Sequence, residues 1–179
     1  MADGRTKGVE RKKTDIPEDV FKRMFKSALE ARKNAYAPYS HYRVGAALLT
    51  DGGKIYTGCN VENASYSVTN CAERTAFFSA VAAGEKRFSA IVIAGSPEGE
   101  LTQLAWPCGV CRQVMREFCE PEHFWVFAAK SERDYEARLL KELLPDSFGP
   151  DNLICGWRGV KNKPDGLFFT RLFVPERHK

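Results

Sequence analysis

The chain has 179 residues, enough for one domain or one domain with extensions, and enough to bury a core without disulfide staples. With 44% hydrophobic, 28% charged and 12% aromatic residues its composition is that of an ordinary globular protein, which excludes collagen, coiled coil and wholesale disorder. The net charge of +4 lies at the ends: residues 1–13 hold five basic and two acidic groups, residues 154–179 six and two, and the centre is slightly acidic with 16 and 19.

A nucleic-acid reader carries its positive charge as a patch on the folded body, so the two ends are expected to be solvated polar arms, with no nucleic-acid partner. From Asp15 the pattern turns helical. Pro17 suits a helix start, and Val20, Phe21, Met24, Phe25, Ala28 and Leu29 share one face of a helix expected to run to about Ala35. Pro38 and its aromatic neighbours break the pattern. Val44 to Leu49 and Lys54 to Cys59, separated by Asp51-Gly52-Gly53, read as a hairpin.

Residues 60–70 read as a loop. Cys71 to Ala83 is apolar on all sides, as a helix buried on most sides would be, with Gly84 as its stop. Ala90 to Ala94 is expected to be a central strand, Cys108 to Phe118 a helix, Phe124 to Ala128 and Tyr135 to Leu139 strands, and Lys141 to Leu144 a short helix stopped by Pro145. This order predicts an α/β fold, a three-layer α/β/α sandwich with a mixed central sheet. The expected organisation is a basic arm at 1–14, one folded domain at 15–153 and an extension at 154–179. In the extension, Leu167-Phe168-Phe169 would add a strand or an arm.

No apolar run approaches a membrane span, and Met1 to Lys13 has no hydrophobic stretch behind its charges. The expectation is a cytoplasmic chain, unattached to membrane, whose six cysteines stay reduced, so that clustered thiols point to metal and scattered ones to core filling. Cys108 and Cys111, three residues apart at a helix start, can aim at one point. Alone, that spacing is equally compatible with a redox pair. Cys71 opens the other alanine-rich helix, and two neighbouring helices can direct their N-termini, with their partial positive charge, at one spot.

Three thiolates would leave a tetrahedral zinc one open position, the usual mark of a catalytic rather than a structural site, where the pKa of water falls toward about 7. Glu73, two residues after Cys71, is the candidate proton carrier. Because three thiolates outweigh one dication, Arg74 and Arg112 are candidates for charge compensation, with Arg74 favoured. Cys59, Cys119 and Cys155 are expected to be small core residues, and His41, His123 and His178 stand in no ligand spacing to the thiols.

On these residues the sequence resembles the cytidine deaminase family. The matching segments are Asn34 to Ser40 with Val44 to Leu48, Gly58 to Ala64, Cys71-Ala72-Glu73-Arg74-Thr75-Ala76, Pro107 to Gln113, and Leu143-Leu144-Pro145 followed by Phe148. The C-x-E and P-C-x-x-C pair is common to zinc deaminases, whereas Asn60, Glu62 and the Leu-Leu-Pro tail look like the small homotetrameric enzymes of free nucleosides.

The resemblance implies one Zn2+ per subunit on Cys71, Cys108 and Cys111, and hydrolytic deamination of cytidine and deoxycytidine, a step of pyrimidine salvage. Glu73 would move protons between water, N3 and the leaving amine, amides near Ala64 and Ala72 would hold the base, and Asn60 and Glu62 would bond the ribose hydroxyls. Tyr66 would lie on the substrate side, Tyr42 stands where the family has a Phe packing on the base, and Phe148 would enter a neighbouring subunit's site. Trp106 and the two long ends depart from the family pattern. Three other readings stay open at this point: deamination of another aminopyrimidine, polynucleotide editing, and a zinc-stabilised binding module, which would need a fourth protein ligand.

Overall fold

Pro17, in extended backbone geometry, leads into helix α1 (Glu18–Lys33) of the computed structural model, which describes residues 14–97 and 99–153. Glu18 and Asp19 in its first turn and Arg32 and Lys33 in its last complement the helix dipole. Phe21, Met24, Phe25 and Ala28 form the buried face at helical spacing, with Val20 and Leu29 half-buried at its edges. The helix stops two residues short of Ala35, where Arg32 turns to the sheet instead. Its guanidinium donates to the Arg43 carbonyl at 3.1 Å, the Ser96 hydroxyl at 2.7 Å and the Pro97 carbonyl at 2.8 Å.

Five strands follow the expected positions: β1 (Tyr42–Thr50), β2 (Ile55–Cys59), β3 (Phe88–Pro97), β4 (Trp125–Ala129) and β5 (Tyr135–Leu139). They form one mixed sheet in the order β2-β1-β3-β4-β5, parallel only between β3 and β4. Alternation along the strands divides the core in two. Ala47, Leu49, Ala90, Val92, Trp125 and Phe127 face α1. Ala46, Leu48, Ile91, Ile93 and Val126 face the helices of the opposite layer. This is the three-layer sandwich expected.

The opposite layer contains α2 (Ala72–Ala82), α3 (Gly109–Phe118) and the one-turn α4 (Leu140–Leu143). Because β1 is antiparallel to both β2 and β3, those two strands run the same way. Helix α2 follows β2 and α3 follows β3, so both helices begin beyond the same end of the sheet, where α/β folds place ligands. Strand β1 starts at that end, with Tyr42 opposite Pro97.

α2 lies against β2 with almost no clearance. A Cβ on Gly58 would sit 2.4 Å from the Ala72 carbonyl oxygen and 2.4 Å from the Ala76 amide. Helix α2 is not buried on most sides, as its composition implied. Ala72, Glu73, Ala76, Phe77 and Ala80 are buried, but Phe78 is 48% exposed on the outer face. An alanine-rich run has no polar stripe to mark its solvent side.

Of the cysteines expected to fill core, Cys119 does so. Cys59 does not: it is half-buried at the end of β2, and its thiol donates to the Asn34 carbonyl at 3.4 Å. Cys155, His178, the Leu167-Phe168-Phe169 run and the basic arm at 1–13 lie outside the described residues.

The chain divides into two compact units, Met1–Gly149 and Pro150–Lys179, and the described part of the second is the single turn α5 (Pro150–Leu153). No helix among the described residues is long and apolar enough to cross a membrane. Replacing Gly58 with Ala forces a methyl group against backbone that cannot rotate away. The expected loss is about 3 kcal/mol of unfolding free energy, read from the midpoint of urea denaturation.

Candidate metal centre

Cys71 and Cys108 occupy equivalent places, each the residue immediately before the first turn of its helix in extended geometry, while Cys111 is buried in the first turn of α3. The shared direction of β2 and β3 therefore brings three thiols together. The Cys71 and Cys108 sulfurs are 3.9 Å apart, those of Cys108 and Cys111 3.5 Å, and all three lie within 4.8 Å of one another. A tetrahedral zinc with bonds near 2.3 Å places its sulfurs about 3.8 Å apart, so the spacing fits that ion. No fourth His, Cys, Asp or Glu ligand atom joins the group among the described residues. The closed sphere of a purely structural module is therefore not formed by them.

The surroundings favour the thiolate at Cys71. The Cys71 thiol is brought down to about 5, first by the hydrogen bond from Cys111 and then, against the effect of burial, by Arg74 and Cys108. Cys111 is held far above the ordinary thiol range by the same bond, by burial and by the charge of Glu73. The Arg74 guanidinium donates from Nη2 to the Cys71 sulfur at 3.8 Å and to the Thr69 carbonyl at 2.8 Å. Its buried Nε has no hydrogen-bond partner.

Arg112 does not share that task. Its Nε donates to the Pro107 carbonyl at 2.8 Å and its Nη1 to the Leu143 carbonyl at 2.7 Å, so it pins the start of α3 to the end of α4. Helix position does not separate the two, since Arg74 lies three residues after Cys71 and Arg112 four after Cys108; what separates them is the pair of carbonyls that engage the Arg112 guanidinium.

Glu73 is 4% exposed in the first turn of α2, and burial pushes its carboxyl up to about 7, against the hydrogen bond from its own amide. The structure thus sets a buried carboxyl, raised toward neutrality, next to three thiols. Ala72, the residue between Cys71 and Glu73, is fully buried.

The loops beyond β2 and before β1 form the other wall. Asn60 is 8% exposed; its Oδ1 accepts from the Val44 amide at 2.8 Å and its Nδ2 donates to the Tyr42 carbonyl at 2.8 Å. One N–H and one lone pair of that amide remain for a ligand. Glu62 is half-buried, and the Ser40 hydroxyl, then the Tyr39 and Ser40 amides, hold its carboxyl below the usual range. The hydroxyl of Tyr42 has partners: it donates to the Gly95 carbonyl at 3.1 Å and accepts from Gln103 at 3.1 Å.

Ala64 and Tyr66 are exposed, with the Tyr66 ring 5.8 Å from that of Tyr39. Phe148 lies away from the chain's own core, 58% exposed, with its carbonyl accepting from Gln113 at 3.0 Å. Trp106 packs half-buried against the core of α2 and α3, its outer face covered by the Arg138 guanidinium at 4.7 Å. Ser40 and Gln113 stand at the ends of matching segments without a role assigned to them there, and Gln103 escaped the sequence reading. Only the need of a buried Tyr42 hydroxyl for a partner hinted at any of them.

Residues 19–127 match the family model described as the cytidine and deoxycytidylate deaminase zinc-binding region. A cytidine deaminase of Sporosarcina psychrophila is 47% identical over 124 residues, 69% of this chain and 88% of that one. One of Halalkalibacterium halodurans is 42% identical over 130 residues, 73% of this chain and 95% of its own. The crystal structure of cytidine deaminase from Burkholderia pseudomallei superposes with a TM-score of 0.64 at 48% identity, covering 70% of this chain and 97% of that chain.

Replacing Cys108 with Ser removes one of three sulfurs from a site with no spare ligand among the described residues. Zinc content by metal analysis is expected to fall from about one ion per chain toward none, while circular dichroism keeps its α/β signature.

Proposed function

The chain belongs to the cytidine and deoxycytidylate deaminase family, and from that premise we propose that it hydrolyses the 4-amino group of cytidine and deoxycytidine, giving uridine or deoxyuridine and ammonia. The observation that carries this reading is the meeting of Cys71, Cys108 and Cys111 within 4.8 Å beside the buried Glu73. Cys71, Cys108 and Cys111 hold one zinc, and Arg74 offsets their excess negative charge. When bound, the ion is a Lewis acid that makes water at its open position a nucleophile near neutral pH.

Glu73 moves the protons. Its carboxylate takes one from the water that adds to C4 and gives it to N3. It then passes the hydroxyl proton to the amine, which leaves as ammonia, and the ring regains its carbonyl. The burial of Glu73 keeps bulk water from exchanging with the proton in transit.

The backbone at Ala64 and Ala72 holds the base edge, Tyr42 packs on its face with its hydroxyl tied back to Gly95 and Gln103, and Tyr66 lines the same wall. The free donor and acceptor of Asn60 and the carboxylate of Glu62 meet the sugar hydroxyls, whose loss leaves charged or buried groups unpaired. The catalytic domain spans residues 15–153, with polar ends at 1–14 and 154–179, and the reaction is a salvage step in the cytoplasm.

The working unit is a homotetramer with shared sites. In its support, Tyr36, Tyr39, Val61, Tyr66 and Val68 are 45% exposed or more. They adjoin through the Tyr36–Val61 bridge and the Tyr39–Tyr66 ring contact, a patch of the kind that marks an interface.

Glu73→Gln removes the proton carrier without touching a sulfur. Its kcat on cytidine, followed by ultraviolet absorbance, is expected to fall by about 10^2–10^4-fold with zinc content unchanged; full activity would overturn the proposed proton transfer. Light scattering is expected to give four chain masses. Phe148→Ala lowers activity, and mixing it with Glu73→Gln subunits restores part of it, because each supplies what the neighbour's site lacks. An additive, uncomplemented mixture would place Phe148 outside the shared site.

A further inference from the structure

Glu62 is a half-buried residue with a long side chain, and such a carboxylate free in water spreads over many rotamers, at a cost of about 1.5–2 kcal/mol to order. Here it is already ordered. Its Oε2 accepts from two backbone amides, Tyr39 at 2.9 Å and Ser40 at 3.2 Å. Its Oε1 accepts from the Ser40 hydroxyl. A carboxylate offers about four lone-pair directions, so one remains, on Oε1, the oxygen that Ser40 holds.

The direction of the Ser40 hydroxyl is itself determined. Its oxygen accepts from the Tyr42 amide at 3.0 Å, so its one proton goes to Glu62. Tyr42 is gripped from the other side, its carbonyl accepting from Asn60 at 2.8 Å. The Ser40 hydroxyl therefore links the carboxylate of Glu62 to the backbone of Tyr42. The amides that clamp Oε2 come from backbone and survive any ordinary substitution. The clamp on Oε1 is a side chain.

We propose that Ser40 is the positioning residue for sugar recognition: its hydroxyl aims the open lone pair of Glu62 at a ring hydroxyl of the nucleoside. This rests on the reading that Glu62 meets the sugar. Ser40 touches neither the base nor the reacting atoms, so its removal acts on discrimination between sugars and not on the chemical step.

The test compares cytidine, deoxycytidine and 2′,3′-dideoxycytidine, which lose the ring hydroxyls in turn. In Ser40→Ala the ratio of kcat/KM for cytidine over the dideoxynucleoside is expected to fall about tenfold, as for loss of one charge-assisted hydrogen bond. The change should lie in KM, with kcat on cytidine held within about twofold. Ser40→Thr, which keeps the hydroxyl, should retain the ratio. Ser40→Cys, a poorer donor of similar size, should lower it and serves if the alanine variant is unstable.

An unchanged ratio in the Ala or Cys variant, or an equal fall on all three substrates, overturns the proposal. A wild-type enzyme that turns over all three alike overturns it too, yet leaves the deaminase reading standing. A wild-type enzyme inert toward cytidine overturns that reading, and this proposal with it.

Discussion

Three sulfurs from two distant stretches of chain can share one point only if two helices start side by side. The structure meets that requirement through strand direction. β2 and β3 run the same way although β1 separates them, so α2 and α3 both begin beyond one end of the sheet. The contact at Gly58, where a methyl group would strike the backbone of α2, sets how closely that helix can lie. With α2 displaced outward, Cys71 would leave the other two sulfurs and take Glu73 with it.

The two walls of the site are built differently. The metal side is made from helix starts, whose backbone is fixed and whose N–H groups favour negative charge. Burial there does chemical work of its own, since the environment that excludes water from Glu73 also raises its carboxyl toward neutrality. The other wall is made from the loops at 36–41 and 60–70, held by the Tyr36–Val61 and Val61–Asn70 backbone bridges and by side chains: Asn60 across the start of β1 and Glu62 on the Ser40 hydroxyl.

The outer surface continues this division. Phe78 on α2, the ring of Phe148 beyond α3 and the tyrosines of the loops leave large apolar groups uncovered at separate places on one chain.

The sequence by itself determined the elements and the chemistry. Among the described residues, periodicity of two and of three to four placed every strand and the long helices within a few residues, since core faces are written locally. The C-x-E and P-C-x-x-C spacings named the three sulfurs and the carboxyl that the fold brings together. Tertiary structure decided the partners. Arg74 and Arg112 look equivalent in sequence, yet one reaches a sulfur and the other a carbonyl 31 residues away. Cys59 was expected to fill core and instead bonds the end of α1, while Ser40, in sequence only the last residue of a matching segment, links Glu62 to Tyr42. The physical reason is range: a side chain's face follows from its own helix or strand, but its hydrogen-bond partner is whichever atom the fold carries within about 3 Å.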